Sequence, residues 1–249
     1  MHGFPSTGII GLGRSYPAST KRCPLPAASA IDVPAVNPAL AMAEFYMLPL
    51  PQSNFMIKVI HRINKKSELK KIPMELGVEI DVRTDGRKLI LSHEPFRNGK
   101  LFSEYLRVYN HKFLIVDVKT EWIGQKVLDT LKKHKISDYL ILGLSIPESV
   151  SLMKKGETKI AVRMSEYESI DTPLAFKGKF DWLWLDVFTK FPLDKKGFGR
   201  LRKAGYKICL VSPDRWGRPE DIQKYQGIMK RNGIKIDAVM VGKDYAELW

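Results

Sequence analysis

The sequence predicts an α/β fold, specifically a compact (β/α)₈ TIM barrel preceded by a disordered N-terminal extension. From Met56 onward, short apolar runs alternate with amphipathic segments, as they do when parallel strands are joined by helical crossovers. Eight strand candidates fit into residues 56–249, which is near the short end of the range for this fold. A doubly wound open sheet is the rival, but no glycine-rich phosphate fingerprint follows the first strand.

The strand candidates are short runs rich in aliphatic and β-branched residues. In chain order they are residues 57–61, 78–83 with a companion at 88–92, 113–119, 139–142, 159–162, 182–186, 207–211 and 238–241. Helical patterns lie between them at residues 65–75, 102–109, 121–134, 147–154, 195–204 and 220–231. Pro219 with two acids after it favours a helix start, and Gly205 and Gly233 stand where helix C-caps are expected. The segment after the last strand is too short for a full helix.

Residues 1–55 differ in composition from residues 56–249, which are expected to form the barrel domain. They contain eight prolines and many small residues, and no apolar period persists through them. A mostly disordered extension is therefore expected. Three interpretations are open: a targeting segment, a functional arm or linker, and non-native sequence upstream of a natural start at Met56. We favour the last.

The formal net charge of +14 indicates an anionic partner such as a phosphate, a phospholipid surface or nucleic acid. A lysine-rich solvated surface is the alternative, because the lysines are scattered and form no single block. No apolar run is long enough for a transmembrane helix. Cys23 and Cys209 lie far apart and form neither a disulfide framework nor a metal-ligand pair, so a reducing, cytoplasmic location is expected.

Charged residues recur at positions i and i+2 on two of the predicted strands. Glu79 and Asp81 share one face of the second strand, and Asp117 and Lys119 share one face of the third. The residues between them are apolar and would pack against the helices, so the charged set would face the barrel axis. Buried charges are costly unless they are paired or bind a metal, and three carboxylates at the mouth would suit Mg²⁺ or Ca²⁺. Two alternatives remain: Asp117 pairing with Lys119, and a solvated Glu79/Asp81 pair.

Two histidines accompany these acids along the chain. The first strand ends in His61-Arg62, and the run after the turn at residues 85–86 ends in Ser92-His93-Glu94. Together with the acids, these residues resemble the glycerophosphodiester phosphodiesterase superfamily, which includes the phosphatidylinositol phospholipase C-like barrels. That family has a His-Arg pair, a Glu-x-Asp pair, a second histidine and an acid-x-Lys pair in this order. The matching positions here are His61-Arg62, Glu79/Asp81, His93 and Asp117/Lys119.

The sequence departs from the family pattern at three places. Ile63 replaces the glycine that usually follows the His-Arg pair, and a Pro-Glu-Asn-Thr segment is absent. Glu94 follows the second histidine where the family usually has aspartate. These departures bear on the identity of the substrate more than on the site.

The resemblance implies a metal-dependent phosphoric diester hydrolase. It implies that Glu79, Asp81 and Asp117 hold Mg²⁺ or Ca²⁺, which would neutralise charge on the phosphate. The substrate would be a small-molecule or lipid-derived phosphodiester, with possible peripheral contact with an anionic membrane. A catalytically inactive barrel that binds a phosphorylated ligand is the alternative. A nucleic-acid partner is not expected, since no helix-turn-helix or aromatic-rich basic motif is present.

The resemblance also assigns roles to the remaining residues. Arg62 and Lys119 would donate to the phosphate oxygens, and Lys119 would assist the chemistry. His61 would accept a proton from the attacking substrate hydroxyl or water, and His93 would donate one to the leaving group. Asp186, Ser212, Asp214 and Trp216 follow later strands at the same mouth, where loop capping and rim packing are expected.

Overall fold

A computed structural model of the chain describes residues 56–249. The predictions made for residues 1–55, a disordered extension or a targeting segment, lie outside the described residues. The strands are β1 (Ile57–Ile60), β2 (Gly77–Asp85), β3 (Lys88–Leu91), β4 (Lys100–Leu101), β5 (Phe113–Val118), β6 (Tyr139–Leu142), β7 (Ala161–Met164), β8 (Trp182–Leu185), β9 (Lys207–Val211) and β10 (Ala238–Val241).

Helices occupy the crossovers between the strands. They are α1 (Lys66–Leu69), α2 (Phe102–Leu106), α3 (Gly124–Lys133), α4 (Ile146–Met153), α5 (Asp171–Ala175), α6 (Lys195–Lys203) and α7 (Asp221–Asn232). Two 3₁₀ helices, Pro213–Trp216 and Lys243–Leu248, follow β9 and β10. Across residues 56–249, no helix is both long enough and apolar enough to cross a membrane.

Eight of the strands form a closed parallel barrel in the order β1-β2-β5-β6-β7-β8-β9-β10. Parallel pairing of β10 with β1 closes one side, and a single parallel bridge between Ile141 and Ile160 joins β6 to β7. The two remaining strands, β3 and β4, extend β2 as an antiparallel hairpin outside the barrel. The predicted TIM barrel, including the companion strand, is therefore confirmed.

Alternation along the strands divides the core into an interior and an outer layer. The interior cluster includes Val59, Ile115, Leu140, Trp184, Val211 and Met240, all buried. Gly77 also belongs to this layer. A Cβ there would lie 3.0 Å from Val59 Cγ2 and 2.9 Å from the carbonyl oxygen of Phe113, so a larger residue would not fit. The intervening residues face the helices in two further clusters. The interior is thus filled with apolar side chains. The charged residues of β2 and β5 lie above them, toward the carboxyl end of the barrel.

Strand β4 and the two 3₁₀ helices were not predicted, and three further elements differ most from the predictions. The helix predicted at residues 65–75 is only the single turn α1, and Pro73 disfavours helical backbone in the residue before it. Helix α5 was not predicted, since five residues around Pro173 show no helical period. The fifth barrel strand begins two residues later than predicted and includes Arg163, a polar residue that ended the apolar run in the sequence.

Candidate active site

Three carboxylates meet at the carboxyl end of the barrel. Strands β2 and β5 are paired so that Asp81 lies opposite Asp117, while Glu79 lies one inward position below Asp81. Each of the three residues offers a carboxylate oxygen, and these oxygens lie within 4.8 Å of one another. Glu79 is 2% exposed and Asp81 is 1% exposed. The structure therefore brings together the three acids singled out in the sequence.

Lys119 is the cation closest to these acids. Its Nζ lies 2.6 Å from Asp117 Oδ2 and 3.4 Å from Asp81 Oδ1, so the pairing considered as an alternative is present and extends to β2. This ammonium contacts two of the three carboxylates. Burial, reinforced by the charges of Asp81 and Asp117, raises the pKa of Glu79 well above its ordinary value. Burial also raises the pKa of Asp117, although Lys119 opposes this shift.

The site has room for Asp117 because of Gly143, which follows β6. A Cβ at this position would lie 2.5 Å from Asp117 Oδ1, and the residue has φ +81°. Only glycine adopts this backbone conformation without strain. Gly143 therefore permits the close approach of β6 to the third carboxylate.

His61 lies at the end of β1 beside Glu79. Its backbone N–H donates to the carbonyl of Val241, and its Nε2 lies 3.8 Å from Glu79 Oε2. Burial, together with the positive charges of Arg215 and Arg62, lowers the pKa of His61 to about 3. The imidazole is therefore neutral near pH 7.

His93 follows β3, and its Nδ1 lies 2.6 Å from Glu94 Oε1. Its loop is tied to the barrel through the backbone, because Arg83 Nε donates to the carbonyl of His93 at 3.0 Å. The same guanidinium donates through Nη1 to the carbonyl of Lys119 at 2.8 Å. Arg83 thus joins the histidine loop to the end of β5, a role the sequence did not reveal. The only sign of this role in the sequence was that Arg83 stands two residues after Asp81 and therefore faces inward.

Arg62 stands over the carboxylates with a backbone φ of 58°, in the left-handed region. Its backbone N–H donates to Glu79 Oε2 at 2.6 Å, and its Nε lies 3.9 Å from Asp81 Oδ2. The guanidinium is exposed enough to reach a ligand in the mouth. The unusual backbone is therefore stabilised by one of the acids.

Asn64 was also missed by sequence reasoning. Its Nδ2 donates to Asp81 Oδ2 at 2.7 Å, and its Oδ1 accepts from the backbone N–H of Asp81 at 2.9 Å. The first bond orients the Asp81 carboxylate, and the second holds the Asn64 amide against the backbone of β2. The only signal available in the sequence was its place in the first loop after β1.

The opposite side of the mouth is lined by a separate network around Asp186, at the end of β8. Asp186 Oδ1 accepts from Trp216 Nε1 at 2.8 Å and from the Val187 N–H at 3.0 Å, and Oδ2 accepts from Arg163 Nη2 at 3.4 Å. Asp214, also buried, accepts from the Gly242 N–H at 2.9 Å. Asp186 and Trp216 thus cap a loop and pack the rim, as the sequence led us to expect, whereas Asp214 Oδ1 has no hydrogen-bond partner among the described residues.

The donor set of Glu79, Asp81 and Asp117 fits a hard divalent cation. All three offer carboxylate oxygens, and ligands on opposite sides of a Ca²⁺ ion are about 4.8 Å apart at ordinary bond lengths. Burial and the neighbouring carboxylates raise the pKa of Glu79, and a bound cation would favour its ionised form.

The barrel is similar to two solved structures. A glycerophosphodiester phosphodiesterase from Agrobacterium tumefaciens str. C58 matches with a TM-score of 0.53 and 11% identity, over 77% of this chain and 98% of that one. A glycerophosphoryl diester phosphodiesterase from Parabacteroides distasonis ATCC 8503 matches with a TM-score of 0.55 and 13% identity, over 78% and 86%. No protein-family model and no curated protein matches the sequence. The chain therefore has the TIM-barrel fold of the glycerophosphodiester phosphodiesterases, in keeping with the resemblance found in its residues.

Proposed function

We propose that the protein is a phosphoric diester hydrolase that works with bound Mg²⁺ or Ca²⁺. The observation that carries this proposal is the group of three carboxylate oxygens within 4.8 Å of one another at the barrel mouth. Two histidines and two cationic side chains surround this group. Such an arrangement provides an ion site, proton donors and acceptors, and groups that bind phosphate.

Glu79, Asp81 and Asp117 would hold the ion, which when bound supplies positive charge to the phosphate oxygens. Lys119 and Arg62 would donate to the same oxygens from the two sides of Asp81. These donors favour the transition state because charge on the phosphate oxygens is largest there.

The two histidines would carry out opposite proton transfers. His61 is neutral near pH 7 and would take the proton of the attacking hydroxyl as its oxygen bonds to phosphorus. His93 would give a proton to the leaving oxygen as the ester bond breaks. Glu94 holds Nδ1 of His93 and leaves Nε2 as the donating atom. Attack by a neighbouring substrate hydroxyl would give a cyclic phosphate, whereas attack by water would give the open product.

The substrate would be a small-molecule or lipid-derived phosphodiester. Both similar structures are named for glycerophosphodiester cleavage, which makes glycerophosphodiesters the first compounds to test. Ile63 and the absence of a Pro-Glu-Asn-Thr segment depart from the family pattern, so a different phosphodiester is the alternative substrate.

A second function is favoured by the position of Lys119. Its ammonium already bridges Asp117 and Asp81, so the barrel could keep its charges paired without an ion. The protein would then bind a phosphorylated ligand without cleaving it. The two proposals differ in whether a divalent ion binds.

Hydrolysis of bis(p-nitrophenyl) phosphate with Mg²⁺ or Ca²⁺ tests the first proposal. We expect ion-dependent turnover that Asp81→Asn and His61→Ala each lower by about 10²–10⁴-fold. Asp129→Asn, on the exposed face of α3, is the matched control and should keep the wild-type rate. Equal rates in all variants would exclude this site as the catalyst.

Melting temperature with added ion separates the two proposals. At an ion concentration of 100 times its dissociation constant, binding stabilises the fold by about 2.7 kcal/mol. For a domain of this size, that raises the melting temperature by about 5–10 °C. An unchanged melting temperature with no turnover would favour the non-catalytic barrel.

A further inference from the structure

A groove lies on the outside of the barrel, bounded by α3, the end of α4 and the amino ends of β6 and β7. Helix α4 ends beside the first turn of α3, where a Cβ at Gly124 would lie 2.9 Å from Leu152 Cδ1. The later turns of α3 therefore line open space instead of packing against α4. The groove has a volume of about 470 Å³, which is large enough for a small ligand.

Four lysines line this groove. Lys132 and Lys135 come from the end of α3 and the turn after it, Lys155 follows α4, and Lys159 precedes β7. None of the four forms an ion pair with a carboxylate in the described part of the chain, although lysines elsewhere in it do. The groove therefore holds positive charge that no acid neutralises by contact.

The two acids of the groove are bound to other donors. Glu157 Oε2 accepts from the Tyr139 hydroxyl at 2.8 Å, and its Oε1 accepts from the Lys159 backbone N–H at 2.8 Å. Asp129 Oδ1 accepts from Gln125 Nε2 at 3.1 Å. Four ammonium groups thus face two carboxylates that have partners of their own, and this excess favours an anionic ligand.

Two of the ammonium groups are held in place by uncharged partners. Lys159 Nζ donates to the carbonyl of Ser137 at 2.6 Å and lies 4.7 Å from the centroid of the Tyr139 ring. Lys155 Nζ donates to Gln125 Oε1 at 3.0 Å. An ammonium has three N–H donors, so each of these lysines keeps two for a ligand. Because the side chains are already positioned, binding would cost less conformational entropy.

Lys135 has a backbone conformation that glycine adopts at three comparable places. The same pair of backbone hydrogen bonds closes α3, α4, α6 and α7, and the residue with positive φ is Gly156, Gly205 or Gly233 after the last three. After α3 it is Lys135, with φ of 59°. Lysine is strained there and glycine is not. The last turn of α3 already carries two lysines that complement the helix dipole, so folding does not account for a third.

We infer that this groove binds a small molecule that carries two or more phosphate groups. The four ammonium groups would donate to the phosphates, and Leu128, Ile136 and Leu152 would contact an apolar part of the ligand. The lysines surround one concavity and form no extended stripe, which favours a small polyanion over a nucleic-acid strand. The site does not depend on the proposed function, because these lysines lie near the amino ends of the strands and the clustered acids lie at the carboxyl ends.

Protection of lysines from acetylation, read by mass spectrometry, tests the inference at single residues. The probe is inorganic pyrophosphate, added to the full chain with EDTA so that no divalent ion takes part. At about ten times its dissociation constant, pyrophosphate should lower the acetylation rate of the four groove lysines by about tenfold. Lys70 and Lys71, which are exposed outside the groove, should react at an unchanged rate.

Calorimetry on variants locates the binding. Lys132→Ser with Lys155→Ser should weaken pyrophosphate binding by at least about tenfold, because one charged hydrogen bond is worth about that factor. Lys70→Ser with Lys71→Ser removes the same charge elsewhere and should bind as wild type does. Arg62→Ser, at the barrel mouth, should also leave this binding unchanged, which separates the groove from the candidate active site.

Lys135→Gly distinguishes a ligand-binding role from a structural one. The variant should bind pyrophosphate about three- to tenfold more weakly. Without ligand it should melt at or above the wild-type temperature, because glycine relieves the backbone strain. A lower melting temperature with unchanged affinity would assign Lys135 to the fold and count against the inference.

Three other results would overturn the inference. The first is that pyrophosphate protects none of the groove lysines. The second is that both double variants weaken binding equally, which would mean attraction to the net charge of the protein. The third is that single-stranded DNA protects the groove lysines and pyrophosphate does not, which would assign the groove to a nucleic acid.

Discussion

The two sides of the barrel mouth use buried acids in opposite ways. After β1, β2 and β5, the ammonium of Lys119 contacts Asp117 and Asp81, and the Glu79 carboxylate accepts from the backbone N–H of Arg62. After β7, β8 and β9, Asp186 receives donors on both oxygens, from an indole, a backbone amide and a guanidinium. Burial raises the pKa of Asp186, but Trp216 and Arg163 oppose the shift.

The difference shows that a buried acid at a barrel mouth is not by itself a functional site. A buried acid whose two oxygens both accept hydrogen bonds needs no further partner, and it holds the loops and side chains that donate to it. Several acids with too few donors hold unpaired charge, which a ligand or ion can compensate. On this criterion we propose the β2–β5 side as the reaction centre and the network around Asp186 as part of its wall.

The largest effect expected is on turnover. Asp117→Asn removes one of the three clustered carboxylates and should lower the rate of diester hydrolysis by about 10²–10³-fold. Asp186→Asn keeps an oxygen for its donors and should change the rate by less than about tenfold. Steady-state rates on bis(p-nitrophenyl) phosphate measure both. A greater loss in Asp186→Asn would reverse the roles of the two sides.

The next effect concerns Asn64, which orients Asp81. Asn64→Ala removes both hydrogen bonds to that residue and should weaken divalent-ion binding by about 10–100-fold. Ion titration by calorimetry gives the affinity directly. Asn110→Ala, whose amide contacts only the sulfur of Met74 among the described residues, is the control. Equal affinities in the two variants would mean that Asp81 needs no support.

Glu79→Gln should stabilise the ion-free protein. The pKa of Glu79 is raised in the folded state. Its protonated carboxyl therefore adds stability to the wild type below the unfolded pKa near 4.5, and this contribution is lost as the pH rises through the folded pKa. Glutamine cannot ionise and still accepts from the Arg62 N–H. We expect the variant to melt about 2–6 °C higher at pH 8 and little changed at pH 4.5. Glu75→Gln, at an exposed position, is the control. A lower melting temperature for Glu79→Gln would show that Lys119 already compensates the charge of the Glu79 carboxylate.

The smallest effect is expected at the Asp186 network, on the β7–β9 side of the mouth. Trp216→Phe removes the indole donor to Asp186 and should lower the free energy of unfolding by about 0.5–1.5 kcal/mol. Trp122→Phe, whose indole has no bonding partner among the described residues, should change it less. Urea denaturation compares the two. Equal losses would mean that the Asp186 network adds no stability.

The sequence was sufficient to predict most of the barrel and the main acids. Alternation of apolar and charged residues on β2 and β5 is a local property, so the strand period alone places Glu79, Asp81 and Asp117 on the inner face. The boundaries of all nine predicted strands were right to within two residues, and the two-residue strand β4 was missed. Helix α5 was missed because it is too short to show a period.

The supporting residues could not be predicted. Asn64 and Arg83 resemble ordinary loop and strand-end residues, and their partners lie far from them in the chain. The same is true of Gly143, whose contact with Asp117 arises from the pairing of β5 with β6. Such contacts depend on register and close packing, which no single segment encodes.

By itself, the sequence determined which residues face inward and in what order the acids and histidines occur, because backbone geometry fixes the side-chain period of a strand. Only the tertiary structure decided how many donors each buried acid receives, and only it set Arg215 near enough to His61 to help keep that imidazole neutral. Burial and electrostatic interaction depend on distances between segments remote in the chain, and closure of the barrel sets those distances.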